Sequence, residues 1–336
     1  MELIGGISLM PQCKLFRHGV CIGTGGTVRP CCMWNDPGVN DPIWTDDWQT
    51  KHEQHHQDSL KGWLPQCKRC QIMEDTGKQS MRQRMNTVVI PDDAQGIVFW
   101  DLKVNNTCNL ACRMCDTWSS SKWHELNDTP GYTGVTFPQT NKWYSTAMDF
   151  VDEMRYAREI KFTGGEPFLI PQVKRIQEQL VEQGVAGDIK LHIITNGTQD
   201  ITQWMHIWQH FKTVRLSISV DALGDRYEYI RPYSSWNTVN NNVKALADYL
   251  KSVYNKDNIS VFVNSLPMIL NKNNLDEVAQ WAAELGFKHT ITGVITEPEY
   301  LKPDVQNDPV LWKQFVIQMS ALDKRLGTNW RDFVHE

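Results

Sequence analysis

Residues 97–115 read IVFWDLKVNNTCNLACRMC, and this stretch decides the fold. The apolar and β-branched run over 97–104 is typical of a buried strand, and three closely spaced cysteines follow it directly. Similar short runs recur along the rest of the chain, at residues 159–163, 190–195, 214–220, 259–264 and 290–295. The pattern therefore predicts six strands, with the cysteines placed just after the first of them.

Helical spacing fills the intervals between these strands. Val173, Ile176 and Leu180 recur at i, i+3 and i+7, and a similar series begins at Leu275 and Val278. Units that alternate strand and helix form a parallel sheet with right-handed crossovers. Six units are fewer than the eight of a closed barrel. We therefore expect an α/β fold, a partial (β/α)6 TIM-like barrel, with its chemistry at the carboxyl ends of the strands.

Composition divides the 336-residue chain into three parts. We expect a small cysteine-rich N-terminal module over 1–93, the barrel over 94–303 and a C-terminal helical segment over 304–336, with a helix near 309–326. The net charge of −5 gives no electrostatic footprint for nucleic acid. No apolar run is long enough to span a bilayer, and the N-terminus lacks the basic region of a signal peptide. We expect a cytoplasmic protein with neither a membrane nor a nucleic acid as partner.

The nine cysteines are expected to bind metal. An odd number of cysteines without a secretion signal argues against a disulfide framework. Cys108, Cys112 and Cys115 have the spacing C-x3-C-x2-C on one loop. Three thiolates can hold three irons of a 4Fe–4S cluster and leave the fourth iron open. A structural zinc site fits this triplet poorly, because it needs four ligands.

A C-x3-C-x2-C loop after the first barrel strand resembles the signature of the radical S-adenosylmethionine (SAM) superfamily. Four further motifs follow successive strands in the order that this family shows. The resemblance implies that the SAM-binding residues are Met114, Gly164, Gly165, Glu166, Pro167, Asn196, Ser219, Asp221 and Arg231. Each motif alone is weak, but their shared order after successive strands makes the resemblance specific over roughly residues 97–300.

The resemblance also implies a role for most of these residues. Glu166, in the GGE-like turn, would accept the methionine ammonium, and Arg231 would bind the methionine carboxylate. Ser219 and Asp221 would contact the ribose, and Met114 would pack near the adenine. Reductive cleavage of SAM would give a 5′-deoxyadenosyl radical that abstracts hydrogen from a substrate, with an electron donor such as flavodoxin or ferredoxin. No catalytic residue beyond the cluster is assigned.

The N-terminal module resembles the SPASM and twitch modules, which carry auxiliary iron–sulfur clusters in this superfamily. The implied ligands of a second 4Fe–4S cluster are Cys13, Cys31, Cys67 and Cys70. The module here precedes the barrel, whereas in the family it normally follows. Cys32 stays an alternative to Cys31, and a zinc site on the same cysteines stays an alternative to the cluster.

The substrate is the least defined part of the prediction. Enzymes with SPASM or twitch modules often modify peptides or proteins, so a peptide or protein is the first candidate by analogy, and a small molecule is the second. A non-catalytic zinc- or cluster-binding interaction protein on a degenerate barrel is the alternative from another class. Such a protein would be expected to lack parts of the SAM-contacting set, and this sequence keeps all of it.

Overall fold

The computed structural model describes residues 12–23, 28–34, 48–90, 96–117, 119–126, 151–254, 256–293, 295 and 297–334. In these ranges eight strands form one sheet in the order β2-β1-β3-β4-β5-β6-β7-β8. The strands are β1 Gly19–Ile22, β2 Val28–Arg29, β3 Phe99–Lys103, β4 Glu159–Thr163, β5 Lys190–Thr195, β6 Thr213–Ser219, β7 Ile259–Ser265 and β8 Lys288–Ile291. Only the β1–β2 pair is antiparallel.

The helices pack on the outside of this sheet or belong to the terminal segments. Those described are α1 Leu15–His18, α2 Trp48–Ser59, α3 Lys68–Asp75, α4 Met81–Asn86, α5 Ser121–Glu125, α6 Pro171–Glu182, α7 Met205–Trp208, α8 Gly224–Ile230, α9 Trp236–Ser252, α10 Leu275–Glu284 and α11 Pro309–Leu326. Within the ranges described above, none of these helices is long and apolar enough to cross a membrane.

The predicted partial barrel is confirmed, because β3 to β8 are six parallel strands laid side by side in chain order. The last strand was predicted too far along the chain, at residues 290–295. The structure places it two residues earlier, because Lys288 and His289 pair with Phe262 and Val263. Gly293 then takes a left-handed conformation, with φ of 101°, after the strand has ended.

The N-terminal segment contributes β1 and β2 to the same sheet. Strand β1 is fully buried and runs parallel to β3, so the sheet is wider than the six predicted strands. Gly19 begins β1, where a Cβ atom would lie 2.6 Å from Leu15 Cδ2 and 2.8 Å from Pro30 O. The predicted boundary at residue 93 lies outside the described residues. The division into three domains stays a prediction.

The two faces of the sheet differ in chemistry. The outer face packs against the helices through side chains that are almost completely buried, such as Trp100, Leu102, Ile160 and Phe162. The alternate positions face the inside of the open barrel and are largely polar. There Lys161 on β4 donates to Asp101 on β3 at 3.0 Å. A polar interior differs from the apolar filling of a closed TIM barrel.

Helix α11 begins and ends where local signals place it. The Asp308 side chain caps the helix by accepting from the Val310 and Leu311 amides at 2.9 and 3.1 Å. Gly327 ends it in the left-handed conformation. Its buried face joins a second apolar cluster that includes Ala111 of the cysteine loop. The helix therefore lies directly against the loop that carries the cysteine triplet.

Candidate functional site

The cysteine loop leaves the carboxyl end of β3 and is held by backbone hydrogen bonds to the end of α8. The amides of Ala111 and Arg113 donate to Pro232 O and Ile230 O at 3.2 and 2.9 Å. The Trp123 indole donates to Cys112 O at 3.1 Å. These bonds fix the path of a loop that has little regular secondary structure of its own.

Burial keeps the three thiols of the loop protonated when no metal is bound. It raises the pKa of Cys112 to about 11, and it raises the pKa values of Cys108 and Cys115 as well. The thiolate is the form that binds metal, so a cationic centre must displace these protons as it binds. Three thiols on one loop, with Cys112 buried and Cys108 and Cys115 partly buried, suit a cluster that takes three protein ligands.

Two side chains from other elements direct N–H groups at these sulfurs. Asn196, after β5, lies with Nδ2 3.9 Å from Cys108 Sγ and donates to Asn109 Oδ1 at 3.0 Å. Arg231, after α8, lies with Nη1 3.6 Å from Cys112 Sγ. Hydrogen bonds to the sulfur ligands are a principal means by which proteins tune iron–sulfur clusters. The structure therefore brings Asn196 and Arg231 to the cysteine loop.

Glu166 lies beneath this loop and is completely buried. Its carboxyl accepts hydrogen bonds from Thr195 Oγ1 and the Asn196 amide, both at 2.7 Å, and from the Phe168 amide at 3.2 Å. Burial raises the pKa of Glu166 to about 7, and these hydrogen bonds oppose the rise. Pro167 follows and begins a short 3-10 turn. The carboxyl thus links the ends of β4 and β5.

The glycine pair before Glu166 allows close backbone contact with the start of the cysteine loop. The amides of Gly165 and Glu166 donate to Asn105 O and Thr107 O at 3.0 and 2.8 Å. A Cβ on Gly165 would lie 2.1 Å from Thr107 O, and one on Gly164, whose φ is +88°, would lie 2.8 Å from Asn105 O. The family resemblance implies that Gly164 and Gly165 contact SAM. In the structure their immediate neighbour is the protein backbone.

Asp221 and Arg231 form a buried ion pair beside Cys112. The guanidinium donates twice to Asp221 Oδ2, at 2.6 Å from Nη2 and 2.9 Å from Nε. The other carboxylate oxygen accepts from the Leu266 amide at 2.8 Å. Asp221 therefore orients Arg231 in this structure, and its predicted contact with ribose stays a prediction. Ser219 lies half-buried at the end of β6.

The remaining features of the loop fit a bound cofactor. Met114 is partly buried and packs on the apolar cluster beneath the loop. Asn105 is buried, and its Nδ2 has no hydrogen-bond partner in the part of the chain that the structure describes. Buried donors are nearly always paired in native proteins, so an unpaired one beside the loop is consistent with a site completed by a ligand. The residues present therefore fit a cluster and a polar cofactor.

The four cysteines predicted for the second site line a single pocket. They are Cys13, Cys31, Cys67 and Cys70. Burial raises the pKa of Cys13 to about 11 and that of Cys67 to about 12. No three His, Cys, Asp or Glu side chains among the described residues are arranged to hold a single metal ion as they stand.

Cys31 and its neighbour Cys32 lie in different surroundings. Cys31 lines the cavity of the other three cysteines and also a neighbouring cavity beside Asp101 and Lys161, whereas Cys32 lines only that neighbouring cavity. Burial and the Asp101 carboxylate raise the pKa of Cys32. Cys21, on β1, is buried in the sheet. The structure thus groups four of the six N-terminal cysteines.

The family model of the radical SAM superfamily matches residues 102–283, which is more than half of the chain. This chain belongs to the radical SAM superfamily. The match covers the cysteine loop, the turn that contains Glu166 and the Arg231 segment. A comparison with curated protein sequences found no significant match.

This radical SAM protein is also similar to solved structures. SuiB from Streptococcus suis bound to S-adenosylmethionine aligns with a TM-score of 0.40 and 13% identity, over 65% of this chain and 46% of that one. SuiB bound to its precursor peptide SuiA gives 0.41 and 12%, over 86% and 56%. TYW1 with a lysine–pyruvate adduct gives 0.35 and 14%, over 62% and 68%. The chain spans about half the length of the SuiB structures that it matches.

Sequence reasoning missed two residues that hold the cysteine loop in place. Arg113, between Cys112 and Cys115, is buried and pairs with Asp323 of α11 at 2.8 Å. The two residues are 210 positions apart in the chain. No local pattern links them, and a single arginine among cysteines does not reveal whether it faces solvent or the protein interior.

Proposed function

We propose that this radical SAM protein holds a 4Fe–4S cluster through Cys108, Cys112 and Cys115 and binds SAM at the open iron. When bound, the cluster and SAM supply a 5′-deoxyadenosyl radical that abstracts hydrogen from a substrate in the barrel. The observation that carries the proposal is the convergence of residues that follow β4, β5 and α8 on the loop that follows β3. Asn196 and Arg231 reach the sulfurs of Cys108 and Cys112, and Glu166 binds the backbone of Asn196.

The protein's own groups would bind and orient SAM. Glu166 offers a carboxyl to the methionine ammonium, and a charge-assisted contact of this kind is among the stronger hydrogen bonds. Arg231 offers its guanidinium to the methionine carboxylate while Asp221 holds it in place. Ser219 lies at the end of the neighbouring strand, on the side proposed for ribose, and Met114 supplies apolar surface for the adenine.

A second 4Fe–4S cluster in the N-terminal module is the other part of the proposal. It is supported by the four thiols that share one cavity, and the different surroundings of Cys31 and Cys32 favour Cys31 as the fourth ligand. A zinc ion on the same cysteines is the alternative. Metal analysis of natively purified protein separates the two, since stoichiometric zinc with only one cluster's worth of iron would favour zinc.

The proposed substrate is a peptide or protein, by analogy with other enzymes that carry SPASM or twitch modules. A small molecule is the second candidate. We propose that the protein acts in the cytoplasm and receives electrons from a flavodoxin or ferredoxin. The polar interior of the barrel, with Asp101 and Lys161 on adjacent strands, supports a substrate site there.

The proposal is tested by incubating anaerobically reconstituted protein with dithionite and SAM. We expect 5′-deoxyadenosine even without the true substrate, because uncoupled cleavage needs only the open iron and an electron. Glu166→Ala should raise the KM for SAM about tenfold to a hundredfold, equivalent to roughly 1.5–3 kcal/mol. Arg231→Ala should have a similar effect.

Glu299→Ala is the matched control for these substitutions. Glu299 is largely exposed, and among the described residues its carboxylate forms an ion pair only with Lys302, three residues away. Its loss should therefore leave the KM for SAM unchanged. An absence of 5′-deoxyadenosine above a cluster-free control, from protein with an intact cluster, would contradict the proposal. The alternative of a non-catalytic interaction protein on a degenerate barrel would then be favoured.

A further inference from the structure

The buried side chain of Arg113, in the cysteine loop, is hydrogen-bonded to residues of α8 and of the C-terminal segment. Its Nε donates to Tyr229 O at 2.7 Å, and Nη2 donates to Asp323 Oδ1 at 2.8 Å and Thr328 Oγ1 at 3.0 Å. The guanidinium also lies 3.8 Å from the centre of the Tyr229 ring. The side chain is completely buried. Its planar group therefore has one fixed orientation, set by α8 and by the end of α11.

The Asp323 carboxylate, at the end of α11, accepts hydrogen bonds from several donors. Besides Arg113, its carboxylate accepts from Thr328 Oγ1 at 2.7 Å, the Trp330 amide at 2.5 Å and the Tyr229 hydroxyl at 3.3 Å. These bonds close the turn that follows α11. The carboxylate thus joins the C-terminal segment to the cysteine loop and to α8 at one point.

The end of α8 contacts the cysteine loop at two places, through Arg113 and through Arg231. The Arg113 amide donates to Ile230 O at 2.9 Å while its side chain donates to Tyr229 O. The next residue, Arg231, lies with Nη1 3.6 Å from Cys112 Sγ. A shift of Arg113 would therefore change both the position of the loop backbone and its distance from Arg231.

We infer that Arg113 and Asp323 are positioning residues that hold the cysteine loop in the geometry needed to bind its cluster. The inference rests on the proposed function, because it takes Cys108, Cys112 and Cys115 as cluster ligands. A buried ion pair is a poor way to gain stability compared with apolar packing. We infer that the pair serves to orient the loop. Several acceptors hold the Arg113 guanidinium in place, and this fixes the positions of Cys112 and Cys115 on either side of it in the sequence.

A functional consequence follows for the C-terminal segment. Asp323, Thr328 and Trp330 lie beyond the residues 102–283 that match the superfamily. They nevertheless complete the support of the cysteine loop through the contacts to Arg113 and Asp323. The C-terminal segment therefore supports the cysteine loop of the proposed SAM centre from outside the region that matches the superfamily.

The test compares two single variants with the variant that combines them. Arg113→Met and Asp323→Asn each leave one buried charge without its partner, and both should lower the melting temperature. The double variant removes both charges, and the asparagine that replaces Asp323 would still offer an oxygen to the Trp330 amide, so its melting temperature should recover. Loss of iron from the reconstituted protein to a chelator should stay faster than in the wild type in all three. Outer contacts of metal ligands typically change affinity about 10- to 100-fold, and we expect a change of that size.

Arg226→Met is the matched control for these variants. Arg226 lies on α8 and links it to the C-terminal segment, because its Nη1 donates to Phe333 O at 2.9 Å. The same atom donates to Leu270 O at 2.6 Å. Within the described ranges, neither these hydrogen bonds nor its contact with the Phe333 ring involves the cysteine loop. Its loss should lower the melting temperature without accelerating the release of iron from the triplet.

Arg113→Lys provides a second measurement that does not depend on the double variant. Lysine keeps the positive charge but cannot donate to several acceptors in the planar geometry of a guanidinium. The fold should therefore survive while iron is lost faster. Wild-type iron retention in Arg113→Lys or in a stable double variant would overturn the inference, as would equal iron loss in Arg226→Met. These comparisons need no SAM cleavage. Failure of the proposed function would instead appear in the wild type, as a missing cluster or missing 5′-deoxyadenosine.

Discussion

At the scale of single residues, Glu166 is the group whose environment is most unusual. It is completely buried, yet three donors from the ends of β4 and β5 converge on its carboxyl. Burial raises its pKa to about 7 from an ordinary value of 4.5. The site thus holds a carboxyl whose pKa burial has raised before any cation is bound. An arriving ammonium group would favour its ionised form.

This shift predicts a pH dependence of stability for the metal-free protein. Between about pH 4.5 and 7 the folded state binds the Glu166 proton more tightly than the unfolded state, so its contribution to the free energy of unfolding falls as the pH rises. One group changes this free energy by at most roughly 1.4 kcal/mol per pH unit. The measurement is urea unfolding of the wild type and of Glu166→Gln across this range.

The difference between the two proteins isolates Glu166 from other titrating groups. Burial and nearby cations lower the pKa of His192 to about 3, so this residue contributes stability that increases with pH over part of the same range. That contribution is present in both proteins and cancels. A difference in stability that stayed constant from pH 4.5 to 7 would show that folding does not raise the pKa of the Glu166 carboxyl.

At the scale of elements, the segment after β2 separates two adjacent cysteines. Cys31 lines the cavity shared with Cys13, Cys67 and Cys70 as well as the cavity beside Asp101 and Lys161, whereas Cys32 lines only the second of these. Adjacent residues in an irregular segment can point in different directions, so only one of them needs to reach the auxiliary site. The structure of the segment after β2 therefore favours Cys31 over Cys32 as the candidate ligand.

The pair predicts different iron contents for two matched substitutions. Cys31→Ser should lower the iron of reconstituted protein from about eight per chain to about four, the content of a single 4Fe–4S cluster. Cys32→Ser should retain all of the iron. The measurement is iron and sulfide analysis of anaerobically reconstituted protein. Equal iron loss in both variants, or loss only in Cys32→Ser, would contradict the assignment of Cys31.

At the scale of the whole molecule, one sheet joins the two predicted metal sites. The strand β1 from the cysteine-rich segment pairs along its length with β3, and β3 leads directly into the cysteine loop. The auxiliary cysteines lie in the segments around β1 and α3, whereas the triplet lies at the carboxyl end of β3. Two sites on one sheet can be structurally continuous and still bind their metals separately.

This arrangement predicts independent loss of the two sites. Replacing Cys67 and Cys70 with serine should remove the auxiliary metal and loosen the first 90 residues, because metal binding there is coupled to local folding. The cleavage of SAM should remain detectable. The measurements are iron content, limited proteolysis and 5′-deoxyadenosine formation. The complementary Cys108→Ala/Cys112→Ala/Cys115→Ala variant should keep about half of the iron and form no 5′-deoxyadenosine. Full retention of iron in that variant would exclude the triplet as a ligand set.

The sequence by itself determined the barrel and the positions of its motifs. Strand and helix periodicity is local, so the bounds of β4 and β5 and the position of α11 could be predicted from a few neighbouring residues. The cysteine spacing is local too, and it led to the superfamily that the comparison then identified. The predicted roles of the SAM-contacting residues stay predictions, although the structure brings several of them to one loop.

Only the tertiary structure decided which distant residues meet. Arg113 and Asp323 are 210 positions apart in the chain. The backbone of Thr107, which follows β3, leaves no space for a Cβ on Gly165, which follows β4. The addition of β1 to the sheet was likewise absent from the local pattern. The physical reason is the same in each case. Periodicity and spacing report what a segment can form, whereas the partner that buries a charge, extends a sheet edge or excludes a side chain is set by how the segments pack together.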